Sequence, residues 1–124
     1  MRAQWPGQHL LLTHGTATGR EAGQALLQPG DVQVWQPWDT PEVVHRFLEH
    51  FRPRVGLLME TEVWPNLIAT CQQEKVPVAL VNARLSERSL RKAQRLSSLI
   101  TPAAKAISVI AAQTGEDAKR LQSL

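Results

Sequence analysis

Two carboxylates, Glu60 and Glu62, close the apolar run of "GLLMETEVWPN" at residues 56–66. Alternation along a strand sends neighbouring side chains to opposite faces, so the two glutamates share a face and Thr61 opposes them. Adjacent carboxylates are costly to bury, and three chemistries suit them: a general base, a pair of divalent-metal ligands, or acceptors for sugar hydroxyls or a guanidinium. A metal wants a third oxygen, for which Asp39 is the nearby candidate by topology. A structural role is the fourth reading: one carboxylate accepts backbone amides at the start of the helix opened by Pro65 and favours its dipole. Trp64 would stack on a ligand or staple the loop to that helix. Asn66, in the first helical turn, is a further polar contact or a surface residue.

The elements that position these groups follow from periodicity. Short apolar runs at 9–13, 32–35, 54–60, 76–83 and 106–113 read as strands, and the continuous apolar character of the third fits a strand covered on both faces. Helical patterns lie between them, over 19–27, from Thr40 as N-cap with Pro41 at the first position, from Pro65 through Lys75, from Ser86 to about Leu99, and after Thr114, which faces Asp117 three residues on. The order is βα repeated five times. It predicts an α/β fold, a Rossmann-like parallel sheet with helices on both faces, whose ligand rim is at the carboxyl ends of the strands.

Glu60 and Glu62 fall on that rim. So does "THGTATGR" (13–20), where Thr16, Thr18 and Gly19 ahead of a helix N-terminus suit an anion or a sugar as well as they suit a turn and cap. The glycine spacing matches neither a phosphate loop nor a dinucleotide fingerprint. "NARLSERS" (82–89) adds Asn82, Arg84, Ser86, Arg88 and Ser89, and the helix it opens carries Arg88, Arg91, Lys92 and Arg95 on one face. Such a face is either solvated or meets a phosphate-bearing partner.

Composition narrows the classes. With 124 residues, 43% of them hydrophobic, the chain is about one domain with a real core, and a net charge of +3 permits an anionic partner without demanding one. Cys71, the single cysteine, has no internal disulfide partner and reads as a packing residue in a reducing compartment. His9, His14, His45 and His50 lack metal-ligand spacing, and no Ser-His-Asp or Cys-His set assembles. Nucleic-acid binding through the basic helix is disfavoured by 5% aromatic residues and the lack of a recognisable motif. The N-terminal apolar run is too short for a signal peptide or a membrane span.

Taken together, "LLTHGTATGRE", "METEVWPNLI" and "VPVALVNARLSERS" closely resemble the N-terminal domain of 3-deoxy-D-manno-octulosonic acid (Kdo) transferases of Gram-negative bacteria, from about His9 to Leu124. The resemblance implies a GT-B glycosyltransferase, metal-independent and without a cofactor, that moves Kdo from CMP-Kdo to the phosphorylated lipid A precursor at the cytoplasmic face of the inner membrane. Residues 1–124 would form part of the acceptor-side domain. Glu60, Glu62, Trp64, Asn66, Asn82, Arg84, Ser86, Arg88, Ser89, Thr16, Thr18 and Gly19 would then face the acceptor.

The family also carries a membrane anchor, a first strand ending in a Ser-Val-Gly-Glu turn whose glutamate is its proposed base, and a C-terminal nucleotide-sugar domain. None has a counterpart here, so no catalytic residue is assigned, and the isolated chain is expected to be soluble, cytoplasmic and inactive. Without that strand, those at 9–13 and 54–60 either pair directly in a distorted sheet or leave an exposed edge on a marginally stable fragment; the second is expected. A non-catalytic module that binds an anionic glycolipid or a protein partner is the alternative.

Overall fold

The structure, a computed structural model, describes residues 7–59 and 64–124, so Glu60 and Glu62 lie outside the described residues. The chain divides into two compact units, one ending at Pro37 and the other beginning at Trp38. All strand pairing is parallel, and the fold is α/β and Rossmann-like, with parallel sheets and helices on both sides.

In the first unit β1 (Leu11–His14) pairs with β2 (Val32–Trp35), from Leu11 opposite Val32 to His14 opposite Trp35. Between them runs α1 (Ala17–Gln24), which begins two residues earlier than the sequence pattern predicts because Thr16, not a later residue, is its N-cap. Gly23 lets the helix lie close on the strands: a Cβ there would come within 2.6 Å of Leu12 and 2.8 Å of Gln33. The turn into β2 is tied by Asp31, whose two carboxylate oxygens accept the Leu10 and Gln28 amides, each at 2.8 Å.

The second unit opens with α2 (Pro41–Phe51), where Thr40 accepts the Val43 amide and Pro41 begins the helix; Arg52 ends it in the left-handed region at φ 46°. There follow β3 (Gly56–Met59), α3 (Pro65–Gln73), β4 (Val78–Ala83), α4 (Glu87–Arg95), α5 (Ser97–Ala106), β5 (Val109–Ala112) and α6 (Gly115–Gln122). The sheet order is β3-β4-β5. β1 and β3 belong to different sheets, so the direct pairing weighed from the sequence is not formed among the described residues.

Central β4 buries Val78, Leu80 and Ala83, which pack into two helix-borne clusters. Ile68, Leu80, Ala83, Ala103 and Ile107 form one cluster, and Val44, Leu48, Cys71 and Val78 the other, with Leu58 of β3 packed against both. Each fully buried aliphatic side chain contributes about 1.5–3 kcal/mol. Burial also pushes the Cys71 thiol up from its ordinary value, as befits a packing residue. Coverage of β3 is less complete than its apolar run suggests: Leu57 is 44% and Met59 54% exposed, both on one face of the strand, while Leu58 on the other face packs into the core.

One helix was expected where two occur. The chain breaks at Leu96 (φ −108°, ψ 30°), and α5 continues through Pro102, which reads as a helix stop. Pro102 offers no N–H to the turn before it. Packing of Ala103, Ala106 and Ile107 into the core outweighs that loss.

Candidate functional site

At the carboxyl end of β4 the ladder to β5 shifts register between Leu80 and Ala83, and Asn82 sits there at φ 51°. Asparagine tolerates the left-handed region better than most residues, so its type is matched to the bulge. The ladder then resumes with Ala83 opposite Ala112, and Gln113 donates its amide to the Ala83 carbonyl at 2.8 Å. Beyond it, Leu85 is held from α6 on both main-chain groups. Its amide donates to Asp117 Oδ1 at 2.8 Å, and its carbonyl accepts from Arg120 Nη1 at 3.0 Å.

Ser86 caps α4. Its Oγ accepts the Ser89 amide at 3.1 Å and donates to Ser89 Oγ at 3.0 Å, so the two hydroxyls satisfy one another. Asn82, Arg84, Arg88 and Ser89 are exposed. A groove of about 300 Å³ brings Arg84, Ser89 and Lys92 together beside Leu80, Leu85 and Leu121. That combination of cation, hydroxyl and apolar floor suits an amphiphilic anion.

Asp117 is 8% exposed and belongs to the α6 cap: Thr114 Oγ1 accepts its amide at 3.1 Å and donates to its Oδ2 at 2.7 Å. The Leu85 amide, chiefly, and the Thr114 hydroxyl hold its carboxyl below the ordinary range, with help from the nearby Arg120 and Arg84 cations against the cost of burial. The folded carboxyl therefore binds its proton more weakly than the unfolded one. Its stabilisation is complete above the unfolded value of about 3.9 and is lost as pH falls through the lower folded value. Thermal melts should accordingly show Asp117→Asn less stable than the parent at pH 7, with the gap closing as pH drops below about 4. A gap that stays constant to pH 2 would refute the assignment.

At the start of α3, Asp39 does what the sequence reading left open for Glu60 or Glu62. Its Oδ2 accepts the Asn66 amide at 3.1 Å and its Oδ1 the Leu67 amide at 2.8 Å, while Asn66 Nδ2 donates to the Asp39 carbonyl at 2.6 Å. Both oxygens weighed for a third metal contact are thus engaged with amides. Among the described residues no three His, Cys, Asp or Glu side chains gather to hold a metal. Trp64 stands at the N-cap, half-buried, and its Nε1 is buried without a partner among the described residues.

In the first unit Thr16 Oγ1 accepts the Gly19 amide at 3.0 Å, the geometry of a cap, and Thr18 is an exposed helical residue. Gly19 lies inside α1, not ahead of it. His14 is 7% exposed, packs edge-on against Trp35 at 4.3 Å, and neither ring nitrogen has a partner among the described residues. No spacing signal marks it out in the sequence. Nor does any mark Asp117 and Arg120 as contacts of Leu85, since only the Thr114–Asp117 cap is visible locally.

Comparison with known proteins decides the family. The family described as 3-deoxy-D-manno-octulosonic-acid transferase (kdotransferase) matches residues 1–124. This chain belongs to the Kdo transferase family. It is 47% identical over 120 residues to a 3-deoxy-D-manno-octulosonic acid transferase of Bordetella pertussis, covering 93% of this chain and 28% of that protein. With the enzyme of the same name from Haemophilus influenzae the identity is 32% over 124 residues, covering 100% of this chain and 29% of the relative. A probable mitochondrial Kdo transferase of Arabidopsis thaliana is 36% identical over 83 residues, covering 67% of this chain and 19% of its own length. The chain thus spans less than a third of the length of these Kdo transferases. Among the described residues no helix is long and apolar enough to cross a membrane.

Proposed function

We propose that this chain contributes the acceptor side of a glycosyltransferase of lipopolysaccharide biosynthesis, one that transfers Kdo from CMP-Kdo to a phosphorylated lipid A precursor at the inner-membrane surface. The observation that carries the reading is the family match over the whole chain. The groove beside Arg84, Ser89 and Lys92 supports it, offering cations next to apolar surface to a phosphorylated glycolipid.

Transfer forms a bond from an acceptor hydroxyl to the anomeric carbon and breaks that carbon's bond to the CMP phosphate, and the hydroxyl proton passes to a base. No residue of this chain is assigned as that base. Neither a metal nor another cofactor takes part in the proposed reaction, and donor contacts come from outside the acceptor side. The acceptor contacts are Arg84, Ser86, Arg88 and Ser89 at the head of α4, Asn82 on the bulge, Glu60, Glu62, Trp64 and Asn66 around the start of α3, and, in the first unit, Thr16, Thr18 and Gly19 in the cap and first turn of α1.

The test is direct: the intact protein, supplied with CMP-Kdo and lipid A precursor, should release CMP and give a product heavier by one Kdo residue. No transfer with a folded, donor-binding sample would overturn the reading. Glu62→Gln keeps the side chain's shape and removes its charge, and should lower kcat/KM for the acceptor by about 10–100-fold if Glu62 accepts from an acceptor hydroxyl. Unchanged kinetics would remove Glu62 from the site.

A further inference from the structure

The segment 82–89 is not aimed by its own strand. The ladder slips at Leu80/Ala83, Asn82 is turned into the left-handed region, and α4 starts only at Glu87. The main-chain direction between the slip and the helix is fixed instead from the β5–α6 side. Gln113 holds Ala83, and Asp117 and Arg120 hold the amide and the carbonyl of Leu85. Those last two are braced in turn, since Arg120 Nη1 lies 3.6 Å from Asp117 Oδ1 and the Thr114 hydroxyl donates to Oδ2. Leu85 stands between Arg84, which borders the groove, and Ser86, which caps α4. A rotation of the Leu85 peptide groups therefore re-aims both neighbours at once.

We propose that Asp117 and Arg120 are positioning residues for the anionic acceptor: by gripping both main-chain groups of Leu85 they set the direction of Arg84 and the α4 cap, and so the affinity for the acceptor's phosphate. The inference rests on the acceptor-side reading above and names the residues that tune it. Neither side chain needs to touch the ligand. Both groups are charged, which makes their bonds to Leu85 stronger than neutral ones and resists the pull of a bound anion on Arg84. A neutral clamp would hold the same loop more loosely.

Equilibrium binding of the phosphorylated lipid A precursor to the intact protein, without donor, tests this apart from catalysis. Arg120→Met, which keeps length and loses both the bond and the charge, should raise Kd by about 5–10-fold, and Arg120→Lys should recover it to within about 3-fold. Asp117→Asn should weaken binding in the same direction. The dephosphorylated precursor should bind the parent more weakly and respond to neither change. A merely structural role predicts something else, because loss of folded protein lowers the binding stoichiometry and leaves Kd as it was. An unchanged Kd in Arg120→Met and Asp117→Asn, with or without lost stoichiometry, would overturn the proposal, as would a parent protein that does not bind the precursor. If Kd shifts as expected while no Kdo is transferred, the reading of the reaction fails and the positioning role stands.

Discussion

Ile68→Ala should lower the stability of the second unit by about 3–4 kcal/mol and its melting temperature by about 15 °C, read in urea and thermal melts. Ile68 is 1% exposed and, among the described residues, is one of the two largest fully buried side chains. It packs with Leu80 and Ala83 of β4, Ala103 of α5 and Ile107 after it, so a strand and a helix border the space that truncation would leave. The cost combines lost transfer energy with a cavity that rigid β4 cannot collapse into. Against a total of about 5–15 kcal/mol for a domain, that is a large share. Ile68→Val, by contrast, should cost only about 0.5–1.5 kcal/mol. Because Ala83 precedes the clamped segment and belongs to the same cluster, the alanine variant should also loosen 84–86, and amide exchange at Leu85 should quicken beyond what global unfolding explains. A loss below about 1 kcal/mol would mean that the cluster repacks around the gap, and the view of β4 as a rigid floor would fall.

The elements carrying this core were largely legible in the sequence. Parallel βα alternation, the Thr40-Pro41 start and the Thr114-x-x-Asp117 cap depend on residues within a few positions of one another, and local rules suffice for such signals. What escaped depends on distance along the chain. Asp39 reaches an amide 28 residues away and Asp117 one 32 residues away, and nothing in periodicity foretells either pairing. The helix read from Ser86 to about Leu99 differs for a related reason: the chain breaks at Leu96 and runs on through Pro102, where the tertiary contacts of Ala103 and Ile107 hold it helical. Asn82 was singled out as polar and rim-facing, yet its left-handed backbone follows from a slip between two strands. The site residues separate along the same line. Thr16 was weighed as a turn and cap residue and does cap, and Ser86, read as the start of its helix, caps that helix, whereas the frame that aims Arg84 became visible only with α6 in position.

Asp39→Ala is the second large effect, expected at about 2–3 kcal/mol and a fall of about 10 °C in the melting temperature of the second unit. An ordinary N-cap residue satisfies one amide from one residue before the helix. Asp39 instead precedes α2 and satisfies two amides of α3, so a single carboxylate joins the starts of two helices. Its removal leaves the Asn66 and Leu67 N–H groups without their acceptor in a partly buried place and takes a negative charge from the positive end of α3. Asp39→Asn should recover about half, since one amide oxygen replaces two carboxylate oxygens. Asn66→Ala should cost least, near 1 kcal/mol, because it removes only the bond to the Asp39 carbonyl. This graded order separates the cap from the metal-ligand alternative raised by the sequence. A cap ranks the variants Ala, Asn, then Asn66→Ala with no dependence on added divalent ion. Stability that rises with magnesium or calcium in the parent and not in Asp39→Ala would reverse the assignment and return Asp39 to the company of Glu60 and Glu62.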